Sequence, residues 1–250
     1  MSVSIRKYRK EYIVKSYEAD CHGNLRLLSL MNYLQEAAVE HAEELGLGFG
    51  KCQELGLAWV GSNYLLEISR FPRIDERIIV ETWPAEAKLW GAIRDFIIKD
   101  ESGESIVKAI SQWVLIDAKR RRPVMLKKHF PEYMVLTERV LNREFGSAPE
   151  LPENSTKYVY KVRFDDIDVN NHVNNAVYPL WASESVDSDF RIYHVPHELE
   201  IGFKHEALFG GGVAVNTFMS ESKSEHIIYD NDNGNELAWC RILWREFTSK

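Results

Sequence analysis

The sequence predicts an α+β protein built from two copies of one unit, each a helix wrapped by an antiparallel sheet. Two observations predict it. One long amphipathic segment is followed by several segments rich in Val, Ile, Trp, Phe and Tyr, and the same order of segments recurs in the second half of the chain. A helix followed by several antiparallel strands buries its apolar stripe against the sheet that they form.

The first helix is predicted over residues 25–45. Apolar residues and one histidine recur there at steps of three and four, which is the period of one helix face: Leu27, Leu30, Met31, Leu34, Ala37, Ala38, His41 and Leu45. Gly46 follows, where a left-handed residue commonly closes a helix.

Strands are predicted over residues 59–71, 77–87, 92–100 and 105–117, with a hairpin turn at 100–103. The second half repeats the plan, with a strand over 158–164 and a helix over 175–185 that carries Pro179 in its first turn. Further strands are predicted over 198–205, 213–220, 226–230 and 237–245, with a turn at 230–234.

The two halves also align residue by residue. An offset of 148 places Asp20 on Asp168, Asn24 on His172 and Glu36 on Glu184, and a smaller offset of 126 places Trp113 on Trp239. We therefore predict an N-terminal domain over 1–142, a linker over 143–156 and a C-terminal domain over 157–250.

Composition narrows the function classes. The 250 residues are 45% hydrophobic and 28% charged, with a net charge of −7, which argues against nucleic acid as a general partner. No apolar run is long enough for a membrane span or a secretory signal, and the three cysteines fit neither a disulfide framework nor a zinc site. We therefore expect a cytoplasmic protein without a metal or another cofactor.

The chemistry is predicted at the entry to the second helix. If that loop is extended, alternate side chains point the same way, so Asp168, Asn170 and His172 converge just before a helix N-terminus. Thioester hydrolysis needs a polarised water, a group that titrates near neutrality and donors for the oxyanion. The loop residues alone also allow turns and caps with His172 a passive neighbour.

Residues 168–178 read DVNNHVNNAVY, followed by Trp181, and this string resembles the signature of acyl-ACP thioesterases (ACP, acyl carrier protein) of plants and bacteria. Shorter motifs along most of the chain resemble that family in the expected order: Trp59-Val60, Phe71-Pro72, Thr82-Trp83, Arg94-Asp95, Gly103-Glu104, 111–114 and Arg120–Arg122. The resemblance implies a tandem (double) hot-dog fold, with the acyl pocket in the N-terminal domain and the catalytic residues in the C-terminal one.

The resemblance also implies catalytic roles. It adds Glu206 to Asp168, Asn170 and His172. Glu206 and His172 are expected to polarise a water, Asp168 to orient His172 or the water, and Asn170 to hold the substrate or water. Backbone N–H groups of Asn174 and Asn175 are expected to meet the oxyanion. Plant members often carry a cysteine directly after the glutamate, whereas this chain has Ala207, so a water-based mechanism is favoured.

An acyl carrier protein is the expected partner. Its candidate docking residues are basic: Arg120, Arg121, Arg122, Lys127 and Lys128. A plain solvated loop also explains that basic run, and the sequence leaves a homodimer open. The alternatives are a thioesterase acting on acyl-coenzyme A, a hydratase or dehydratase of the same fold, and a non-catalytic acyl-chain or acyl-carrier binding module. His194 and His197 flank Pro196 in what we interpret as a loop and not a metal site.

Overall fold

The fold is described by a computed structural model over residues 5–247. The ends of the two predicted domains, residues 1–4 and 248–250, lie outside the described residues. Helices α1 to α5 span Leu27–Glu44, Phe49–Glu54, Leu126–His129, Val177–Glu184 and Ser188–Tyr193. Strands β1 to β11 span Tyr8–Ile13, Leu57–Ile68, Arg77–Ala87, Gly91–Lys99, Ser105–Asp117, Arg122–Pro123, Thr156–Lys161, His194–Phe203, Gly212–Ser220, Lys223–Asp230 and Glu236–Glu246.

The chain divides into two compact units. The first comprises Met1–Ser62 and Ser69–Arg143, and the second comprises Asn63–Ile68 and Glu144–Lys250. The change from one unit to the other therefore falls at the start of the predicted linker 143–156. The end of strand β2 belongs with the second unit, an assignment that the predicted domain bounds did not include.

In the first unit, α1 packs against an antiparallel sheet in which β1, β3, β4 and β5 are neighbours in that order. The predicted apolar stripe of α1 is buried, because Leu30, Leu34 and Ala37 face the sheet and lose almost all contact with water. Gly46, which follows the C-cap residue Leu45, has a φ of 67°, which confirms the predicted left-handed cap.

In the second unit, the end of β2 and strands β8, β11, β10, β9 and β7 form an antiparallel sheet in that order. Helix α4 packs on β9, β10 and β11 and buries Tyr178 and Trp181. Pro179 is the third residue of α4, so the prediction that it lies in the first turn is confirmed. The turn at 230–234 is closed by the Gly234 N–H, which donates to the Asp230 carbonyl at 2.8 Å.

Some of the observed strands correct the sequence prediction. The edge strand β1 was not predicted, because Arg9, Lys10 and Glu11 give it no apolar face that stands out from a solvated segment. Residues 194–197, interpreted as a loop, instead begin β8. Pro196 is tolerated there because the register shifts beside its partner Trp244, as expected for a proline at an irregular point of a ladder.

Candidate active site

The loop that enters α4 is a tight turn. The Asp168 N–H donates to the His172 carbonyl at 2.8 Å, and Ile167 pairs with Val173 as an isolated bridge. The Asp168 carboxylate accepts the Asn170 N–H at 2.8 Å, which is an Asx turn. Asn171 has a φ of 63°, a left-handed conformation that asparagine tolerates well.

The prediction of an extended loop with alternating side chains is therefore wrong. Reversal of the chain at Asn171 places Asp168 and His172 as antiparallel neighbours and directs Val169 into solvent, where its side chain is 95% exposed. Local hydrogen bonds to the Asp168 carboxylate stabilise the turn in place of an extended strand.

His172 and Glu206 form a direct pair. His172 Nε2 lies 3.2 Å from Glu206 Oε2, with the two side chains 29% and 35% exposed, so both are accessible to water. A main-chain hydrogen bond brings their segments together, since the Val173 N–H donates to the Ala207 carbonyl at 3.0 Å. Glu206 lies in an irregular segment after β8, which ends at Phe203, two residues before the end of the predicted strand 198–205.

Asp168 and Asn170 form a second pair. Asn170 Nδ2 lies 3.3 Å from Asp168 Oδ2, in addition to the main-chain bond between the same residues. In residues 5–247, no hydrogen bond joins the Asp168 carboxylate to the His172 ring, and the expectation that Asp168 orients His172 or the water stays a prediction. Asp168 holds the turn from which His172 projects.

The oxyanion prediction also needs a correction. The Asn174 N–H donates to the Asp166 carbonyl at 2.9 Å, so it is already occupied and unable to meet an oxyanion. The Asn175 N–H makes no hydrogen bond to any of residues 5–247 and lies just before α4. It remains a candidate donor, as expected of an N–H group near a helix start.

Tyr178 is a residue whose part in the site the sequence did not reveal. In the sequence it is only part of the predicted helix 175–185, yet its hydroxyl oxygen accepts the Ala207 N–H at 2.9 Å. Burial, followed by the nearby negative charge of Glu206, raises the pKa of Tyr178 to about 12, so the hydroxyl stays protonated at neutral pH. A buried tyrosine hydroxyl usually has a hydrogen-bond partner, but the sequence does not show which group that partner is.

Comparisons with known proteins identify the family and the fold of the chain. Family models for the acyl-ACP thioesterase N-terminal domain and C-terminal domain match residues 5–134 and 150–246. The chain belongs to the acyl-ACP thioesterase family. The predicted α+β tandem hot-dog fold is likewise confirmed by a solved structure, a putative oleoyl thioesterase from Lactobacillus plantarum, with a TM-score of 0.87, 26% identity and 99% of each chain covered.

Curated relatives in this thioesterase family come from plants. The chloroplastic acyl-[acyl-carrier-protein] hydrolase FATB3 of Cuphea viscosissima is 29% identical over 256 residues, covering 95% of this chain and 62% of the relative. The chloroplastic palmitoyl-acyl carrier protein thioesterase of Cuphea hookeriana is 31% identical over 258 residues, with the same two coverages of 95% and 62%. The chain thus spans less than two thirds of the length of these relatives.

The candidate docking residues lie in the first unit. Arg120, Arg121 and Arg122 are exposed around the turn that follows β5. Lys127 is exposed on α3, but its ammonium group donates to the Tyr133 carbonyl at 2.7 Å and so also stabilises a local loop. Their role in docking stays a prediction.

In residues 5–247, no group of three or more His, Cys, Asp or Glu side chains could hold a metal ion. Over the same range, no helix is long and apolar enough to cross a membrane.

Proposed function

We propose that the protein hydrolyses the thioester of a fatty acyl chain carried on acyl carrier protein and releases the free fatty acid. The observation that carries the proposal is the solvent-accessible His172–Glu206 pair, with 3.2 Å between Nε2 and Oε2, in a chain of the acyl-ACP thioesterase family. An imidazole beside a carboxylate is suited to move a proton to and from a reacting group near neutral pH.

In the proposed reaction, a water bound at the His172–Glu206 pair attacks the thioester carbonyl carbon. The pair accepts one proton from the water as the new C–O bond forms, and the carbonyl oxygen becomes the oxyanion. The N–H of Asn175 is a donor for that oxyanion. Collapse of the tetrahedral intermediate breaks the C–S bond, and the departing thiolate takes up the proton that the pair received.

Asp168 and Asn170 act beside that pair in the proposal. The Asp168 carboxylate holds the turn by accepting from Asn170, and the same contact orients the Asn170 amide. Asn170 is exposed, so its amide is accessible to a substrate or a bound water.

A cysteine nucleophile has no support in the structure. Ala207 occupies the position directly after Glu206. Burial raises the pKa of Cys52 to about 11 and also raises the pKa of Cys240, so both remain thiols at neutral pH. Cys21 is exposed but lies in the first unit, whereas His172 and Glu206 belong to the second.

The proposal also includes the binding of the acyl carrier protein and of the acyl chain. The acyl carrier protein would dock through Arg120, Arg121 and Arg122 with Lys127 and Lys128, whose positive charges suit an acidic surface. The acyl chain is proposed to bind in the first unit. A cytoplasmic location stays a prediction from the sequence.

The decisive measurement is thiol release from medium- and long-chain acyl-ACP beside the matching acyl-coenzyme A substrates, with wild type and His172→Ala. We expect fast turnover of acyl-ACP by the wild type and its loss in the variant. Hydrolysis of acyl-coenzyme A alone would keep the chemistry and change the partner. A folded wild type that hydrolyses neither substrate would overturn the proposal in favour of a binding module.

A further inference from the structure

One hydrogen bond links helix α4 to the segment that carries Glu206. Tyr178 is buried on α4, and its hydroxyl oxygen accepts the N–H of Ala207 at 2.9 Å. The carbonyl of the same Ala207 accepts the Val173 N–H at 3.0 Å. The main chain of Ala207 is therefore held on both sides, by the helix and by the turn.

This double attachment lies one residue from each member of the His172–Glu206 pair. Glu206 directly precedes Ala207, and His172 directly precedes Val173. The segment lies beyond the ladder of β8, which ends at Phe203. A rotation of the main chain at Ala207 would move the Glu206 carboxylate away from the imidazole.

The first unit has the corresponding main-chain hydrogen bond but no tyrosine beside it. There the Leu25 N–H donates to the Pro72 carbonyl at 2.7 Å, which corresponds to the bond between Val173 and Ala207. Pro72 has no N–H to satisfy, and the residue that corresponds to Tyr178 under the offset of 148 is Leu30. The hydroxyl is present in the unit where an N–H needs an acceptor.

The residues that directly precede Pro72 and Ala207 also differ. The residue before Pro72 is Phe71, which is buried in the first unit, whereas the residue before Ala207 is Glu206, which faces water. A buried phenyl ring is held by packing on all sides. A half-exposed carboxylate has fewer neighbours and depends more on how its main chain is held.

We infer that Tyr178 is a positioning residue that acts through Ala207 to hold Glu206 against His172, an inference that rests on the proposed thioester hydrolysis. The effect of the Tyr178 hydroxyl can be tested separately from that of the ring. The ring packs edge-on against Trp181 and Phe203, with centroids 5.3 Å and 5.5 Å away. Tyr178→Phe keeps those contacts and removes only the acceptor of the Ala207 N–H.

The test is a double-mutant cycle on acyl-ACP hydrolysis, with wild type, Tyr178→Phe, Glu206→Gln and the double variant. We expect Tyr178→Phe to lower kcat about 10- to 100-fold, the scale of a small misplacement of a reacting group, with KM changed by less than about 2-fold. In the Glu206→Gln background, the same substitution should change kcat by less than about 2-fold, because the residue that it positions has already lost its charge.

Two further variants keep the test sharp. Ala207→Pro breaks the same hydrogen bond from the donor side, so it should lower kcat as well, and adding Tyr178→Phe to it should cost little more. If Tyr178→Phe does not fold, Ala207→Pro takes its place in the double-mutant cycle. The matched control is Tyr12→Phe, which removes a buried hydroxyl that makes no hydrogen bond among residues 5–247 and should leave kcat unchanged.

Each outcome decides the inference. An active wild type whose kcat is unaffected by Tyr178→Phe overturns the positioning role and leaves the proposed hydrolysis intact. Equal losses of kcat in the wild-type and Glu206→Gln backgrounds also overturn it, because Tyr178 then does not act through Glu206. A wild type without hydrolysis overturns the proposed function and this role together.

Discussion

The two helix-entry turns of the protein fold alike and differ in chemistry. In the first unit the Asp20 N–H donates to the Asn24 carbonyl at 2.8 Å, and in the second the Asp168 N–H donates to the His172 carbonyl at the same 2.8 Å. In both turns the aspartate carboxylate accepts the N–H two residues on. The left-handed residue falls at corresponding positions, with a φ of 75° at Gly23 and 63° at Asn171.

Two of the differences concern side chains that a reaction would use. The first turn has Asn24, 7% exposed, where the second has His172, and it has Phe71, 8% exposed, where the second has Glu206. The turn therefore belongs to the fold of either unit. Chemistry needs a titratable pair in place of two buried groups, together with access for water.

The comparison is tested most strongly by copying the first turn into the second. His172→Asn supplies the residue that the first turn already tolerates, so we expect the fold to persist while kcat for acyl-ACP falls about 100- to 10,000-fold, the usual worth of general acid–base catalysis. Steady-state kinetics and thermal unfolding measure the two effects. Asn24→Ala is the matched control and should leave kcat unchanged. A fully active His172→Asn enzyme would contradict the assignment of the pair.

Substitution of Asp168 and Asp20 distinguishes a role in the fold from a role in catalysis. Asp168→Ala and Asp20→Ala each remove the acceptor of the turn's N–H groups, so both should lower the free energy of unfolding by about 1 kcal/mol. Only Asp168→Ala should also lower kcat, by about 10- to 100-fold, because its turn orients His172 and Asn170. Urea unfolding and acyl-ACP kinetics on both variants test this. Equal losses of kcat in the two variants would show that turn stability alone explains the effect.

The hydrogen bond of Tyr178 has a stability signature of its own. Tyr178→Phe leaves the buried Ala207 N–H without its acceptor, which should lower the free energy of unfolding by about 1–3 kcal/mol. Adding Ala207→Pro removes the orphaned donor, as Pro72 does in the first unit, and should recover part of the loss. Chemical denaturation of the single and double variants tests it. A double variant less stable than Tyr178→Phe would show that proline does not fit at position 207.

Much of the fold could be predicted because local patterns decide it. The bounds of β3 and β5 match the prediction to the residue, since their runs of Val, Ile and Trp are long and clearly bounded. Helix α1 was predicted two residues too early, because the Leu25 N–H pairs with the Pro72 carbonyl and keeps that residue out of the helix.

The geometry of the site was less predictable, for physical reasons. A single left-handed residue, Asn171, reverses the loop, and sequence spacing alone does not distinguish that turn from an extended chain. The Asn174 N–H and the Tyr178 hydroxyl are occupied by partners that tertiary packing brings to them, and Tyr178 reaches Ala207 across 29 residues of sequence. The roles of His172 and Glu206 in catalysis remain proposals.

Each unit also buries one neutral histidine, which predicts a shared loss of stability in acid. Burial lowers the pKa of His226 to about 3, and burial followed by the Arg94 charge lowers the pKa of His41 to about 3. Both residues ionise near pH 6.5 when unfolded. The unfolded chain therefore binds more protons as the pH falls from about 6.5 towards 3, and stability is lost over that window.

The size of the acid effect follows from the same values. At pH 5.5 each histidine should lower the free energy of unfolding by about 1 kcal/mol relative to pH 7.5. Urea unfolding at the two pH values measures the sum, and His41→Gln or His226→Gln should each remove one histidine's share of the difference. If both variants keep the full pH dependence of the wild type, the acid sensitivity comes from other groups, and neither buried histidine causes it.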